Sequence, residues 1–187
     1  KVNAGELWLT GNNRSAGATG AGNEIIVASG ATLDIRGSNM SYGNDPDAAR
    51  KIIQVQGIGF AQPFGAGTLT NGALRNTSGT AQLPNVQVMG DLTIGTGGIV
   101  NGARLDLQPY DINASTGASV GSLVNFQPAI LNSNGGARAL KKIGTGDFVI
   151  HDALVTGFGQ FSIAEGEFRG ERNNAPNVGN ANMTTSA

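Results

Sequence analysis

The sequence contains no cysteine, so no disulfide staples it and no thiolate metal site is available. It has one histidine, His151, where a zinc site would need several His or Cys ligands. Aromatic residues make up 5% of the chain and charged residues 13%, about half the ~25% usual in soluble domains. Lys and Arg number 12 against 13 Asp and Glu, and the resulting net charge of −1 removes the electrostatic argument for nucleic acid or an anionic membrane as partner. No apolar run approaches the roughly 18 residues of a membrane span. The sequence opens on Lys1 with no signal peptide or initiating Met, the mark expected of an excised or processed piece. A chain of this kind has to hold itself by backbone ladders and packing.

What the sequence has in excess is glycine. There are 30, where the ~7% average usage would give about 13. Helix signals are scarce, the best being Asp45–Lys51, one or two turns after Pro46. Elsewhere short period-2 runs are broken by Gly or Asn. They are Leu7-Trp-Leu, Ile25-Ile-Val, Leu33-Asp-Ile, Ile52-Ile-Gln-Val, Gly67-Thr-Leu-Thr-Asn, Val86-Gln-Val and Leu92-Thr-Ile. Arg104-Leu-Asp-Leu, Asp147-Phe-Val-Ile, Gln160-Phe-Ser-Ile and Glu167-Phe-Arg follow. Strands this short cannot make a stable hairpin alone and must stack on several neighbours, in a sandwich or in a solenoid.

Three units of one form favour the solenoid: Val27-Ala-Ser-Gly-Ala-Thr-Leu-Asp-Ile, Val88-Met-Gly-Asp-Leu-Thr-Ile and Ile163-Ala-Glu-Gly-Glu-Phe-Arg. In each a strand ends on an inward aliphatic, a Gly turns a corner and a new strand begins. The expected fold is all-β, a right-handed single-stranded parallel β-helix with a narrow core of stacked Leu, Ile and Val. Val2-Asn-Ala-Gly-Glu-Leu also matches Ile163-Ala-Glu-Gly-Glu-Phe in pattern. That match suggests a unit of a tandem array that enters and leaves at equivalent points. Residues 1–172 are then a β-solenoid segment of a longer array, and 173–187 an Asn/Gly-rich loop or the start of the next coil.

The stretch Leu140-Lys-Lys-Ile-Gly-Thr-Gly-Asp-Phe-Val-Ile, followed by Gly159-Gln-Phe-Ser-Ile-Ala-Glu-Gly-Glu-Phe, resembles the autotransporter-associated β-strand repeat. Val2-Asn-Ala-Gly-Glu-Leu-Trp-Leu looks like the second half of a preceding copy. Val55–Asn71 and Gly90-Asp-Leu-Thr-Ile-Gly are similar to segments found between such repeats in passenger domains. Together these cover about half of the chain. Phe148 and Phe168 stand where the family usually has Leu. The resemblance implies a right-handed β-helix, export to the cell surface, and a part in adhesion, aggregation or display. It implies no catalytic residues.

Candidate chemistry is thin. Gly117-Ala-Ser-Val-Gly121 fits a nucleophile-elbow pattern with Asp147 and His151 downstream, but no helix pattern follows it. Asp45 and Asp47 lie close together, while a calcium site needs about six oxygen ligands and the repeated nonapeptide of calcium β-rolls is absent. Polysaccharide cleavage would need two carboxyls close together, and Asp91, Asp106 and Asp111, with Arg104 and Arg75, are the residues that could approach each other on adjacent coils. Asp91 follows a Gly corner and Asp106 alternates with Leu105 and Leu107, both ordinary surface positions. Gly17-Ala-Thr-Gly-Ala-Gly22 lacks the Lys-Ser/Thr and the helix of a phosphate loop. The Asn-x-Ser/Thr sequons at Asn13, Asn76, Asn113 and Asn182 are what an Asn- and Thr-rich chain gives by composition.

Ligand-binding candidates are the aromatics Trp8, Tyr42 and Tyr110. Alternation places Trp8 opposite Leu7 and Leu9, hence outward. Tyr42 and Tyr110 sit in loops, either in contact with a partner or partly buried under those loops. Projecting loops are expected at Arg14–Asn23, Gly37–Asp47, Ala61–Gly67 and Asp111–Gly117. The leading expectation is a non-catalytic structural β-solenoid of a secreted or cell-surface protein, part of an adhesin, fibre or filament. Its partners are neighbouring solenoid segments or copies of itself, stacked end to end, and glycans or host and cell-surface molecules. No cofactor, metal, nucleic acid or membrane insertion by this segment is expected. The rival is a polysaccharide-binding or polysaccharide-degrading β-helix module, and a third reading is a phage fibre.

Overall fold

The computed structural model describes residues 1–10, 24–38, 52–64, 67–83, 85–97, 104–107, 130–151 and 154–171. The described residues are all-β and contain no helix. The strands are β1 (Gly5–Trp8), β2 (Ile25–Val27), β3 (Ala31–Asp34), β4 (Ile53–Gly57), β5 (Ala61–Phe64) and β6 (Gly67–Thr70). Next come β7 (Leu74–Asn76), β8 (Thr80–Leu83), β9 (Asn85–Thr96), β10 (Arg104–Leu107) and β11 (Ile130–Asn132). The last are β12 (Arg138–Ile143), β13 (Asp147–His151), β14 (Leu154–Thr156), β15 (Phe158–Ile163) and β16 (Glu167–Glu171). The helix candidate Asp45–Lys51 and residues 173–187 lie outside the described residues.

Among the described residues every strand pairing but that of β5 with β6 is parallel, and the parallel ones form three ladders. The first stacks β2, β4, the N-terminal half of β9, β11 and β14, with Val2 bridged to Val27 at its edge. The second stacks β1, β3, β7, the C-terminal half of β9, β12 and β15. The third stacks β8, β10, β13 and β16. The long strand β9 runs through the first two ladders and joins them into one sheet. From β11 to β16 the chain visits the first, second and third ladders in turn, twice over.

Parallel pairing in register stacks equivalent side chains ~4.8 Å apart, so each inward position becomes a column. In the first ladder Ile25, Ile53, Val86, Leu131 and Val155 share a column. In the second, Leu7, Leu33, Leu74, Ile94, Lys142 and Ile163 do. In the third, Ala81, Leu105, Phe148 and Phe168 do. Leu33, Leu74, Ile94, Ile53 and Leu105 are fully buried, each stabilising by roughly 1.5–3 kcal/mol against exposure. Towards β16 the core turns aromatic: Phe148 and Phe161 lie 5.4 and 5.5 Å from Phe168, and Phe158 lies 5.2 Å from Phe161, in tilted or edge-on contact.

The expected core of Leu, Ile and Val is interrupted by Lys142, only 2% exposed. Its ammonium donates to the carbonyls of Ile143 (2.9 Å), Gly144 (2.6 Å) and Glu165 (3.0 Å), tying the turn after β12 to the turn after β15. Gly166 permits this close approach. It has φ of 75°, and a Cβ there would press on the Gly144 and Gly146 carbonyls and lie 2.8 Å from the Lys142 Nζ. Thr96 adds a neighbouring tie, its hydroxyl donating to the Gly146 carbonyl (2.7 Å) while Gly146 N–H donates back to the Thr96 carbonyl (3.1 Å).

Two expectations are corrected. The stretch read as a projecting loop, Ala61–Gly67, contains strand β5, which pairs antiparallel with β6, the strand that the run Gly67–Asn71 was read to be. Hairpin strands so close in sequence need only a tight turn, whereas parallel partners need a long crossover. The matching segments at the two ends are also not equivalent. Val2–Leu7 leads from the first ladder into the second, whereas Ile163–Phe168 leads from the second into the third. What they share is the strand–Gly–strand form of any corner, with Gly5 and Gly166 both at positive φ.

Candidate functional site

Outward positions stack as the inward ones do, and on the second ladder this builds a charged cluster. Trp8, Asp34 and Arg75 are successive register partners on the side opposite Leu33. Like charges at one position would repel along such a column, and here an acid and a base alternate instead. Asp34 is 0% exposed and is the hub. Its Oδ2 accepts from Arg75 Nη2 (3.0 Å), Arg75 Nε (3.2 Å), Thr77 Oγ1 (2.7 Å) and Arg36 Nε (3.3 Å). Its Oδ1 accepts from the backbone N–H of Arg36 (3.3 Å) and of Thr77 (3.2 Å).

Arg75 also pairs with Glu6, whose other oxygen accepts from Gln62 Nε2 at 3.4 Å. Burial pulls the Arg75 guanidinium below its usual range, and the two carboxylates keep it paired there. The cover over this face is the segment that carries the hairpin. Thr32 Oγ1 donates to the Gly72 carbonyl (3.0 Å) and accepts from Phe60 N–H (2.8 Å). Gly59, with φ of 95°, passes so close to Gly72 and Thr32 that a side chain there would collide with both.

Trp8 ends β1 and is 54% exposed. The guanidinium of Arg36 lies over its ring, 3.6 Å from the centroid, the geometry of a cation–π contact. Arg36 has φ of 46°, a left-handed conformation that a residue with a long side chain rarely adopts. The two bonds to Asp34 hold it there. Leu7, expected inward, is 41% exposed because it heads its column with no described strand above it.

Of the acids weighed as a cleavage cluster, the two described ones, Asp91 and Asp106, lie on different ladders. Asp91 follows the corner inside β9 and accepts from Ala139 N–H at 2.9 Å, while Asp106 lies on β10 in the third ladder. Arg75 serves Asp34 and Glu6 instead. Asp147 pairs with Arg169, which also reaches Glu167 at 3.2 Å. Among the described residues no group of His, Asp and Glu is placed to hold a metal ion. Asn76 is buried, its amide donating to the Gly79 carbonyl (2.8 Å) and accepting from Gly37 N–H (2.9 Å), so this sequon is structural. His151 ends β13, opposite Glu171. Tyr42, Tyr110, Asp45, Asp47, Asp111, the Gly117–Gly121 elbow and the Gly17–Gly22 loop lie outside the described residues.

The Glu6–Asp34–Arg75 cluster went unread in the sequence because its members follow no period. Asp34 and Arg75 are 41 residues apart and meet only through the register of β3 and β7. The cluster is closed: both Asp34 oxygens accept hydrogen bonds from within the protein, and the residue is buried. The open part is Trp8 with Arg36. Comparison of the chain with family models, with curated proteins and with solved structures finds no match.

Proposed function

We propose that this chain is a segment of a right-handed parallel β-helix that serves as a non-catalytic structural scaffold in a secreted or cell-surface protein. The observation that carries the reading is the repeated order of ladders: first, second, third, then first, second, third again from β11 to β16. A chain that returns to the same ladders in the same order winds around a common core, and parallel crossovers are right-handed almost without exception. The outer column that runs from Ile26 through Gln54, Gln87, Asn132 and Thr156, polar from its second member on, supports a structural role. Gln54 donates to Gln87 across it at 3.2 Å. Such polar ladders stiffen a shaft without presenting reactive groups.

The likeness of Leu140–Ile150 and Gly159–Phe168 to the autotransporter-associated repeat supports surface display, with adhesion or filament formation as the role. Neighbouring solenoid segments, or further copies of the chain, are the proposed stacking partners, since open strand edges template further pairing. Antibodies against this chain applied to intact source cells test the location. Labelling of unpermeabilised cells is expected, and labelling only after permeabilisation would sink the proposal. Incubation with a panel of plant, bacterial and host polysaccharides tests the absence of catalysis. New reducing ends or unsaturated products would move the chain to the polysaccharide-degrading class.

A further inference from the structure

We infer that Trp8 and Arg36 form a binding site for an acidic oligosaccharide, of the class built from uronate sugars. Trp8 keeps more than half its surface exposed although a guanidinium covers one face. The opposite face and the ring edge are therefore open. Trp8 belongs to the outward column with Asp34 and Arg75, so strands stacked above β1 would leave it on the surface. A flat, exposed indole is a platform for the C–H face of a pyranose.

Arg36 supplies the charge preference. Its Nε is spent on Asp34, and its Nη groups, which carry four N–H donors, have no partner among the described residues. Asp34 is itself fixed by Arg75 and Thr77, so the guanidinium is held in place before any ligand arrives. A left-handed Arg is a local cost that the surrounding contacts maintain, and such strain concentrates where a side chain is being aimed. A ligand that uses both groups lays one sugar ring on the open face of Trp8 and brings the carboxylate of an adjoining repeat past the ring edge to accept from the Nη pair on the other face. A uronate oligomer has both in every repeat. The site needs no catalytic group, and it rests on the scaffold reading only in taking this face as a recognition surface.

Trp8 is the single tryptophan, so its fluorescence reports on the site directly. The full chain is titrated with trigalacturonate, by fluorescence and by calorimetry, beside maltotriose and a triglutamate peptide. Saturable binding of the uronate is expected, with the neutral sugar and the peptide each weaker by roughly tenfold or more. Arg36→Gly should lower affinity by a similar factor with little change in the unfolding midpoint, because the glycine adopts the φ of 46° freely and keeps the backbone N–H bond to Asp34, which offsets the lost Nε bond. Trp8→Leu should abolish the calorimetric signal. No saturable response to trigalacturonate, equal binding of maltotriose or of the peptide, or an Arg36→Gly variant that binds as the parent does would each overturn the inference. Cleavage of the trisaccharide would instead refute the non-catalytic reading and leave the site standing.

Discussion

Lys142 stands opposite Ile94 in the register of the second ladder, an ammonium-bearing side chain in a column that otherwise holds Leu33 and Leu74. The apolar part of the side chain fills the column. The ammonium reaches the carbonyls at the corner and links two successive turns. Burial pushes its pKa down to about 8, while Glu165 and Asp147 pull in the other direction. The arrangement gives the ladder a polar tie at the cost of a desolvated charge.

That cost makes stability depend on pH. The unfolded chain holds the Lys142 proton up to about pH 10.5 and the folded chain only up to about 8, so between these values the unfolded state binds more protons. Unfolding free energy should therefore be lowest below pH 8 and rise towards pH 10.5, with a slope of at most about 1.4 kcal/mol per pH unit. Chemical denaturation at intervals from pH 7 to 10.5 measures it, with Lys142→Met as the reference. The difference between the two proteins should change across that window. A difference constant with pH would show that Lys142 keeps its proton.

Removing Asp34 should be among the most damaging single changes. Asp34→Ala takes from the buried Arg75 one of its two carboxylate partners, leaving Glu6, and strands the Thr77 and Arg36 donors, a loss of about 3–5 kcal/mol. The double variant Asp34→Ala with Arg75→Met should lose less than the sum of the single changes, because either change alone already breaks the Asp34–Arg75 pair. Equilibrium unfolding of the four proteins in the cycle checks this, and additive losses would contradict the pairing.

The column predicts a gradient along the stack. Leu74→Ala, in its fully buried middle, should cost about 2–5 kcal/mol. Leu7→Ala, at the exposed head of the same column, should cost well under half as much. Denaturant midpoints compare the two, and equal losses would argue against a column whose members depend on neighbours on both sides.

Gly166 and Gly170 differ in what surrounds them. Gly166→Ala meets a positive φ and two carbonyls and should destabilise by about 1–3 kcal/mol or more. Gly170→Ala has no atom within 4 Å of the added methyl and an ordinary backbone, so it should be neutral or slightly stabilising. Thermal unfolding of the pair distinguishes the corner from the strand.

Most of the strands were legible. Ile25-Ile-Val and Arg104-Leu-Asp-Leu coincide with β2 and β10, and the alternation around Val86, Leu92 and Asp147 lies within β9 and β13. The strands that escaped notice have weak patterns. In β7, Leu74-Arg-Asn offers a single apolar residue, and β8 has a small Ala at one of its two inward positions. Their pairing with the neighbouring strands β9 and β10 makes them strands where their own sequence does not. Lys142 reads as a polar surface residue in the run Leu140-Lys-Lys-Ile, and only its position in the ladder shows it turned inward. Trp8 was legible as an outward aromatic, but its partner Arg36 was not. Arg36 reaches it by a left-handed turn that no rule for a non-Gly, non-Asn residue would have assigned.

Local pattern was enough to require short β-strands punctuated by glycine, because alternation and Gly corners act over a few residues and need no distant partner. Which strand lies beside which is a different kind of information. The connecting segments vary in length, so Glu6, Asp34 and Arg75 carry no common spacing, and their meeting, like the burial of Lys142, exists only once the ladders have set their register. Charge pairs and columns are properties of that register, and it is decided by the packing of the whole stack.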